Sequence, residues 1–262
     1  MSAFTKRAVI RDFNRASSRY DEYASVQRMS ANRLYAIAHS NLNNSSQVLD
    51  IGAGTGYFHE LLRKNKIYCP LIQLDIAENM CKKAEEYASS PPYGSTHTVC
   101  ADMDFIPFVP ESFDFAFSSL TLQWSHDISV SLDQIYQAIN NKGVAAFNVL
   151  VEGSLYELSD TIENIFGRIR VNNFIESTSV LRKVEEAGFY IIKSELQDIT
   201  THHKDIKSLL YSIKGVGASY KTGGGYPGRD YFAKLENIYK NKHGTQEGLP
   251  LSWKILHVVA KK

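Results

Sequence analysis

Two rhythms alternate along this 262-residue chain. Short apolar runs at 48–51, 73–76, 99–103 and 113–119 read as strands, and 144–151 is a near-continuous apolar run of the kind covered on both faces of a sheet. Between the runs, apolar positions fall at helical spacing. Phe58, Leu61 and Leu62 share one side of a first helix, and Met80, Ala84 and Tyr87 one side of a second. Val130, Leu132, Ile135, Ala138 and Ile139 mark a third over 129–139, with Asn141-Lys142-Gly143 as its stop. Pro91-Pro92-Tyr93, within 89–94, breaks the pattern before the third strand. Strands alternating with helices predict an α/β fold on a parallel sheet.

The ends depart from that alternation. Helices are expected at 6–15 and, capped by Asp21, over 21–39, where Val26, Met29, the Arg33 stem, Leu34 and Ile37 share a face. They form an N-terminal arm over 1–40, followed by a polar loop at 41–47. After the fifth strand, helices at 155–169 and 178–187 precede the stop Gly188; a sixth strand begins at Phe189, and 253–260 is the last. Between these two strands, 200–250 is an insertion with Ile206, Leu209, Leu210 and Ile213 at helical spacing, then Gly215-Val216-Gly217 and Gly223-Gly224-Gly225. So short an apolar stripe packs on something. It is expected as a lid over a cleft, with the sheet flank as its alternative seat, in a single domain of 1–262 whose core is 47–199 and 251–262.

The chemistry concentrates at the strand ends. Val48-Leu49-Asp50-Ile51 passes into Gly52-Ala53-Gly54-Thr55-Gly56, a strand, a tight turn and a helix start whose backbone N–H groups face a ligand. The spacing G-x-G-x-G differs from the dinucleotide pattern G-x-G-x-x-G, and Asp50 before the first glycine would repel a pyrophosphate. A cationic nucleoside fits better: S-adenosylmethionine carries an ammonium and a sulfonium. Asp75 closes the second run 25 residues after Asp50, where an acid accepts hydrogen bonds from both ribose hydroxyls. Asp102 closes the third and can take the adenine amino group, with Met103 over the ring. Ala53, Ile76, Met80 and Ser118 complete the expected cofactor-binding set.

Composition and charge narrow the classes. Hydrophobic content of 44% and charged content of 22% are ordinary for a globular protein, and no apolar run approaches the roughly 20 residues of a membrane span. No signal core follows the start, so a cytoplasmic location is expected. Cys69, Cys81 and Cys100 lack metal-binding spacing and read as reduced, half-buried thiols; no metal is expected. The net charge of +1 conceals an uneven distribution: residues 1–33 hold seven Lys/Arg against three Asp/Glu, and 200–245 eight against three. Two basic segments thus flank an acidic core, either as solvated surface or as a rim that steers an anionic partner.

Together these residues resemble the class I S-adenosylmethionine-dependent methyltransferases, a resemblance that implies a Rossmann-like seven-stranded, mostly parallel sheet with a reversed last hairpin. A narrower match lies outside the cofactor motifs. Phe13-Asn14-Arg15-Ala16-Ser17-Ser18-Arg19-Tyr20-Asp21, Leu122-Gln123-Trp124, Leu150-Val151-Glu152-Gly153-Ser154-Leu155, Ser212-Ile213-Lys214-Gly215-Val216-Gly217-Ala218 and Leu249-Pro250-Leu251 are similar to the BioC family. Asn14, in place of a common glycine, and the loop at 223–228 depart from it. Members of that family methylate the free carboxyl of a malonyl thioester, usually on acyl-carrier protein, at the start of biotin synthesis. The resemblance implies malonyl-acyl-carrier protein or malonyl-coenzyme A as acceptor, a monomer, and Tyr20, Gln123, Trp124 and Lys214 as the groups that meet the carboxylate. An acidic carrier protein suits the two basic segments. Other readings are a same-fold enzyme acting on a small acid or quinone precursor, and a non-catalytic assembly protein. Nucleic acid is not an expected partner, because Ser118-Ser119-Leu120-Thr121 stands where an N-P-P-Y type sequence would follow the fourth strand.

Overall fold

The computed structural model describes residues 5–88, 95–166, 174–218 and 229–262. The turn at 89–94 and the glycine loop at 223–225 lie outside them, as does the end of the helix expected to reach 169. Two short helices and a longer one come first: α1 (Lys6–Ala16), α2 (Tyr20–Tyr23) and α3 (Ser25–Ala38). The helix expected over 21–39 is therefore two, with Ala24 between them outside the α-helical region.

The core then alternates as β1 (Val48–Ile51), α4 (Tyr57–Lys64), β2 (Leu71–Asp75), α5 (Glu78–Ala88), β3 (Thr96–Cys100), β4 (Phe113–Ser119), α6 (Ile128–Ala138) and β5 (Ile139–Leu150). It continues with α7 (Tyr156–Phe166), α8 (Ser177–Glu186), β6 (Tyr190–His203), α9 (Ile206–Gly215), α10 (Arg229–His243) and β7 (Leu249–Lys261). One seven-stranded sheet orders them β3-β2-β1-β4-β5-β7-β6. All pairs are parallel except β5 with β7 and β6 with β7. This is the expected sheet with its reversed last hairpin.

Apolar side chains cover both faces. Leu49, Ile51, Phe147, Val149, Val258 and α6 form one cluster; Val48, Phe115, Phe117, Leu34, Leu61 and Leu62 form the other, where Phe58 stacks on Phe117 at 3.8 Å between ring centroids. Cys69 and Cys81 are buried rather than half-buried, and Cys100 is exposed. Burial pushes the Cys81 thiol up to about 12.

Two expectations about the second half change. Asn141-Lys142-Gly143 does not stop α6: the helix ends at Ala138, and these residues enter β5, with Lys142 at φ +71° beside a register shift against β4. β6 and β7 are longer than expected, pairing from Tyr190↔Lys261 to His203↔Leu249, so the insertion begins only after His203. The protruding hairpin gives α9 a surface. Ile206, Leu209 and Ile213 are buried with Leu235, Tyr239, Leu249, Trp253 and Val26, so α9 sits on the sheet flank rather than as a free lid. Its glycine-rich end still meets the arm: Gly215 lies against the Tyr23 ring, and a Cβ on Gly217, at φ +75°, would stand 2.8 Å from Phe13 Cδ1.

A polar network ties this hairpin to the cleft. Asn148 Oδ1 accepts from Leu120 N at 2.8 Å, and its Nδ2 donates to Ser30 O at 3.3 Å and to His257 Nδ1 at 3.4 Å. His257 Nε2 then donates to Gln197 Oε1 at 2.9 Å, so the buried ring is neutral. Burial pushes its pKa down to about 4. As pH falls below the unfolded value of about 6.5, the unfolded chain takes the proton first, and stability drops until about pH 4, by about 3 kcal/mol. His257→Gln keeps both hydrogen bonds without a titrating ring; denaturant unfolding at pH 7 and pH 5 should show the variant losing less stability than the parent.

Candidate active site

In the strand order the chain reverses direction of travel at β1 and β4, and the crevice beyond their carboxyl ends is where doubly wound sheets bind ligands. The loop leaving β1 turns at Gly52 (φ +71°), Gly54 (φ +56°) and Gly56 (φ +89°). Gly52 N and Ala53 N donate to Leu74 O at 2.7 and 3.0 Å, and Gly54 N donates to Asp75 Oδ2 at 2.9 Å. A Cβ on Gly54 would meet nothing within 4 Å; one on Gly52 would overlap Thr121. Gly52 therefore fits the loop to its neighbour, while Gly54 leaves the main chain open to the crevice.

Two adjoining compartments share Tyr20, Gly52, Gly54 and Ser119. The first is lined further by Asp75, Ile76, Asp102, Met103, Thr121, Trp124 and, from α1, Lys6 and Phe13. The second is lined by Asp50, Ala53, Asp21, Gln27 and Arg28. Asp75 Oδ1 accepts from Ala77 N at 2.8 Å, while burial raises its pKa. Trp124 meets Phe13 edge to face, centroids 5.5 Å apart. The Tyr20 phenol is raised by desolvation, then by Asp75 and Asp21, so it remains a protonated donor at neutral pH.

Asp50 is buried and its Oδ2 has no hydrogen-bond partner among the described residues. Desolvation, then Asp75, holds its pKa well above the ordinary carboxylate value. In the same compartment Arg28 Nη2 pairs with Asp21 Oδ1 at 3.2 Å and its guanidinium lies over the Tyr57 ring, yet its buried Nε has no partner among the described residues. An orphan carboxyl oxygen and an orphan guanidinium N–H facing one cavity complement a zwitterionic amino-acid group. With the open glycine turn and the acids of β2 and β3, the donor set fits S-adenosylmethionine.

Several sequence-singled residues lie elsewhere. Met80 is fully buried on α5 and Ser118 is buried with its hydroxyl donating to Ile51 O at 3.0 Å; neither lines the crevice. Ser119, the next residue and on the other face of β4, lines both compartments. Gln123 turns its Nε2 to Leu120 O at 2.8 Å, and Lys214 is exposed on the last turn of α9; neither lines the crevice. Sequence reading missed Arg28 and Lys6. Arg28 carries no motif, being a polar position one turn beyond Ala24. Lys6 belongs to the basic arm, but only the fold sets its Nζ 2.6 Å from Asp102 Oδ1 and 2.8 Å from Asp104 Oδ2. Asp104 is the anchor of that contact, accepting also from Ser125 and Ser131 hydroxyls at 2.6 and 2.5 Å.

Residues 49–147 match the family model described as a methyltransferase domain. A protein from Bacillus halodurans described as a methyltransferase superposes with a TM-score of 0.64 at 14% identity, over 89% of this chain and 99% of that one. Crevice, cofactor set and these matches define an S-adenosylmethionine-dependent methyltransferase of class I. The malonyl-[acyl-carrier protein] O-methyltransferase of Marinomonas sp. (strain MWYL1) is 31% identical over 98% of this chain and 94% of its own. The biotin biosynthesis bifunctional protein BioHC of Teredinibacter turnerae is 29% identical over 98% of this chain and 47% of its own. The chain belongs to the malonyl-[acyl-carrier protein] O-methyltransferase family.

Proposed function

We propose that this enzyme esterifies the free carboxyl of a malonyl thioester carried by acyl-carrier protein, the reaction that opens biotin synthesis. The observation that carries this reading is the character of the junction between the two compartments. Tyr20 and Ser119 border both, with Thr121 and Trp124 beside them, and these are neutral hydrogen-bonding groups; the amine that lines the first compartment, Lys6, is paired with Asp102 and Asp104 rather than free to serve as base. A carboxylate acceptor needs none, being ionised at neutral pH.

When bound, S-adenosylmethionine supplies a methyl group activated by the adjacent sulfonium. We assign its amino-acid end to Asp50 and Arg28, its ribose to Asp75, and its adenine to Asp102, Met103 and Ile76, with Gly52, Ala53 and Gly54 as the backbone cradle. Tyr20 is assigned to the acceptor: its phenol donates to one carboxylate oxygen and leaves the other free to attack. Trp124 and Phe13 exclude water, so that alignment rather than proton transfer carries the rate. Lys6 holds Asp102 until the cofactor arrives.

Transfer of labelled methyl to malonyl-acyl-carrier protein, with acetyl-acyl-carrier protein as the control lacking the free carboxyl, tests the reading. Label in the malonyl form alone supports it; label in both, or in neither with cofactor still bound, overturns it. The carrier is acidic and Lys204, Lys207 and Lys214 are exposed around α9. Reversing all three to Glu should raise the carrier-substrate KM at least tenfold at low salt and leave the cofactor Kd within twofold, as steady-state kinetics and calorimetry would show.

A further inference from the structure

A third cavity, of about 330 Å³, lies between the arm and the β6–β7 hairpin. Its lining includes Val26, Gln27, Thr201, His203, Ser212 and Trp253, and its size falls at the lower end of small-molecule pockets, about 300–1,000 Å³. Gln27 lines this cavity and also the compartment that holds Asp50 and Arg28, so the two spaces meet at one side chain. The Gln27 Oε1 is buried there without a hydrogen-bond partner among the described residues. A buried orphan acceptor calls for an N–H donor, since leaving it unpaired costs about 1–3 kcal/mol.

The remaining walls are set up for the same chemistry. The Ser212 hydroxyl donates to Leu209 O at 2.7 Å, leaving its lone pairs to the cavity side. Thr201 Oγ1 is held between His203 Nε2 at 3.0 Å and Trp253 Nε1 at 3.4 Å. Burial lowers the His203 pKa, so the imidazole is a neutral partner and not a cation. Val26 and Trp253 supply apolar surface. His202, whose Nε2 lies 3.3 Å from Glu247 Oε2, also lines the cavity, and Lys204, exposed, follows His203 in the chain. Neutral polar groups interspersed with the Val26 and Trp253 side chains, with the exposed Lys204 one residue from the lining, fit a chain of secondary amides that ends in a phosphate.

We infer that this cavity receives the pantetheine arm of the acyl thioester, with Gln27 Oε1 accepting an amide N–H and guiding the acyl end to Tyr20. The inference rests on the malonyl-thioester reading and adds the route by which the acceptor enters.

Malonyl-coenzyme A and malonyl-N-acetylcysteamine, which lacks most of the arm, separate the possibilities. Ser212→Leu narrows the cavity, and Gln27→Leu removes the acceptor at similar volume. Each should lower kcat/KM for malonyl-coenzyme A relative to the short thioester at least tenfold without lowering the unfolding midpoint, and Ser212→Leu should leave the cofactor Kd within twofold. Equal losses on both acceptors, or none, would overturn the assignment. If the parent enzyme methylates neither of these free thioesters, coenzyme A binding by calorimetry decides the cavity, while the proposed reaction stands or falls on malonyl-acyl-carrier protein. Binding weakened at least tenfold in both variants supports it; absent or unaltered binding refutes it.

Discussion

Asp50→Asn should make the free protein more stable and the cofactor complex much weaker. Asp50 lies buried with an unpartnered oxygen and a second acid, Asp75, nearby, and both effects hold its pKa above the unfolded value. A carboxyl raised in the folded state costs stability as pH climbs past its unfolded pKa, because the unfolded chain releases its proton first. Asparagine removes that cost while keeping the shape. At pH 8 the variant should be more stable by on the order of 1–3 kcal/mol, with the gain vanishing toward pH 4. The same change removes the only negative charge proposed to meet the cofactor ammonium. Losing a charge-assisted hydrogen bond in a buried site should weaken S-adenosylmethionine by about 30- to 100-fold. Denaturant unfolding at pH 8 and at pH 4, with calorimetric titration, measures both signs. A variant that loses stability and binding together would mean that Asp50 is structural.

The second large effect belongs to the glycine turn, where two neighbouring substitutions should part company. Gly52→Ala places a methyl in a left-handed conformation, at a cost of about 1–2 kcal/mol, and drives it into Thr121. The loop must shift, and with it the 2.7 Å bond from Gly52 N to Leu74 O. A fall in melting temperature of about 5–10 °C is expected, using about 2–4 °C per kcal/mol, together with loss of detectable cofactor binding. Gly54→Ala carries a similar backbone strain at φ +56°, but its methyl meets open space. That protein should lose less than half as much in melting temperature and still bind cofactor at least tenfold more weakly, because the methyl enters the cradle. Thermal scans and titration of the pair separate packing from ligand contact; equal melting losses would contradict the geometry.

The glycine turn and the strand-end acids were legible in the sequence because strand ends leave a local signature. Asp50, Asp75 and Asp102 each close a short apolar run, and a parallel sheet brings such ends to one edge whatever the loops do. The G-x-G-x-G turn has its meaning in backbone angles that only glycine adopts freely. Met80 and Ser118 do not line the crevice, because proximity in sequence to a motif says nothing about which face a side chain takes. Ser118 and Ser119 alternate across β4, so one bonds Ile51 inside and the other borders the crevice.

The arm and insertion are a different case. Their helices were legible from spacing, but their seats were not. The length of the β6–β7 hairpin depends on thirteen cross-strand pairings of distant residues, and it is this surface that takes α9 away from the crevice mouth. Lys6 with Asp102, Arg28 beside Asp50, and Gln27 between two cavities are all meetings of the arm with the far end of the sheet. The sequence by itself determined the sheet, the glycine cradle and the acids that face it, since each follows from local periodicity and backbone freedom. Only the tertiary structure decided which cation meets which acid and where the acceptor can enter, because those contacts join residues that no local pattern links.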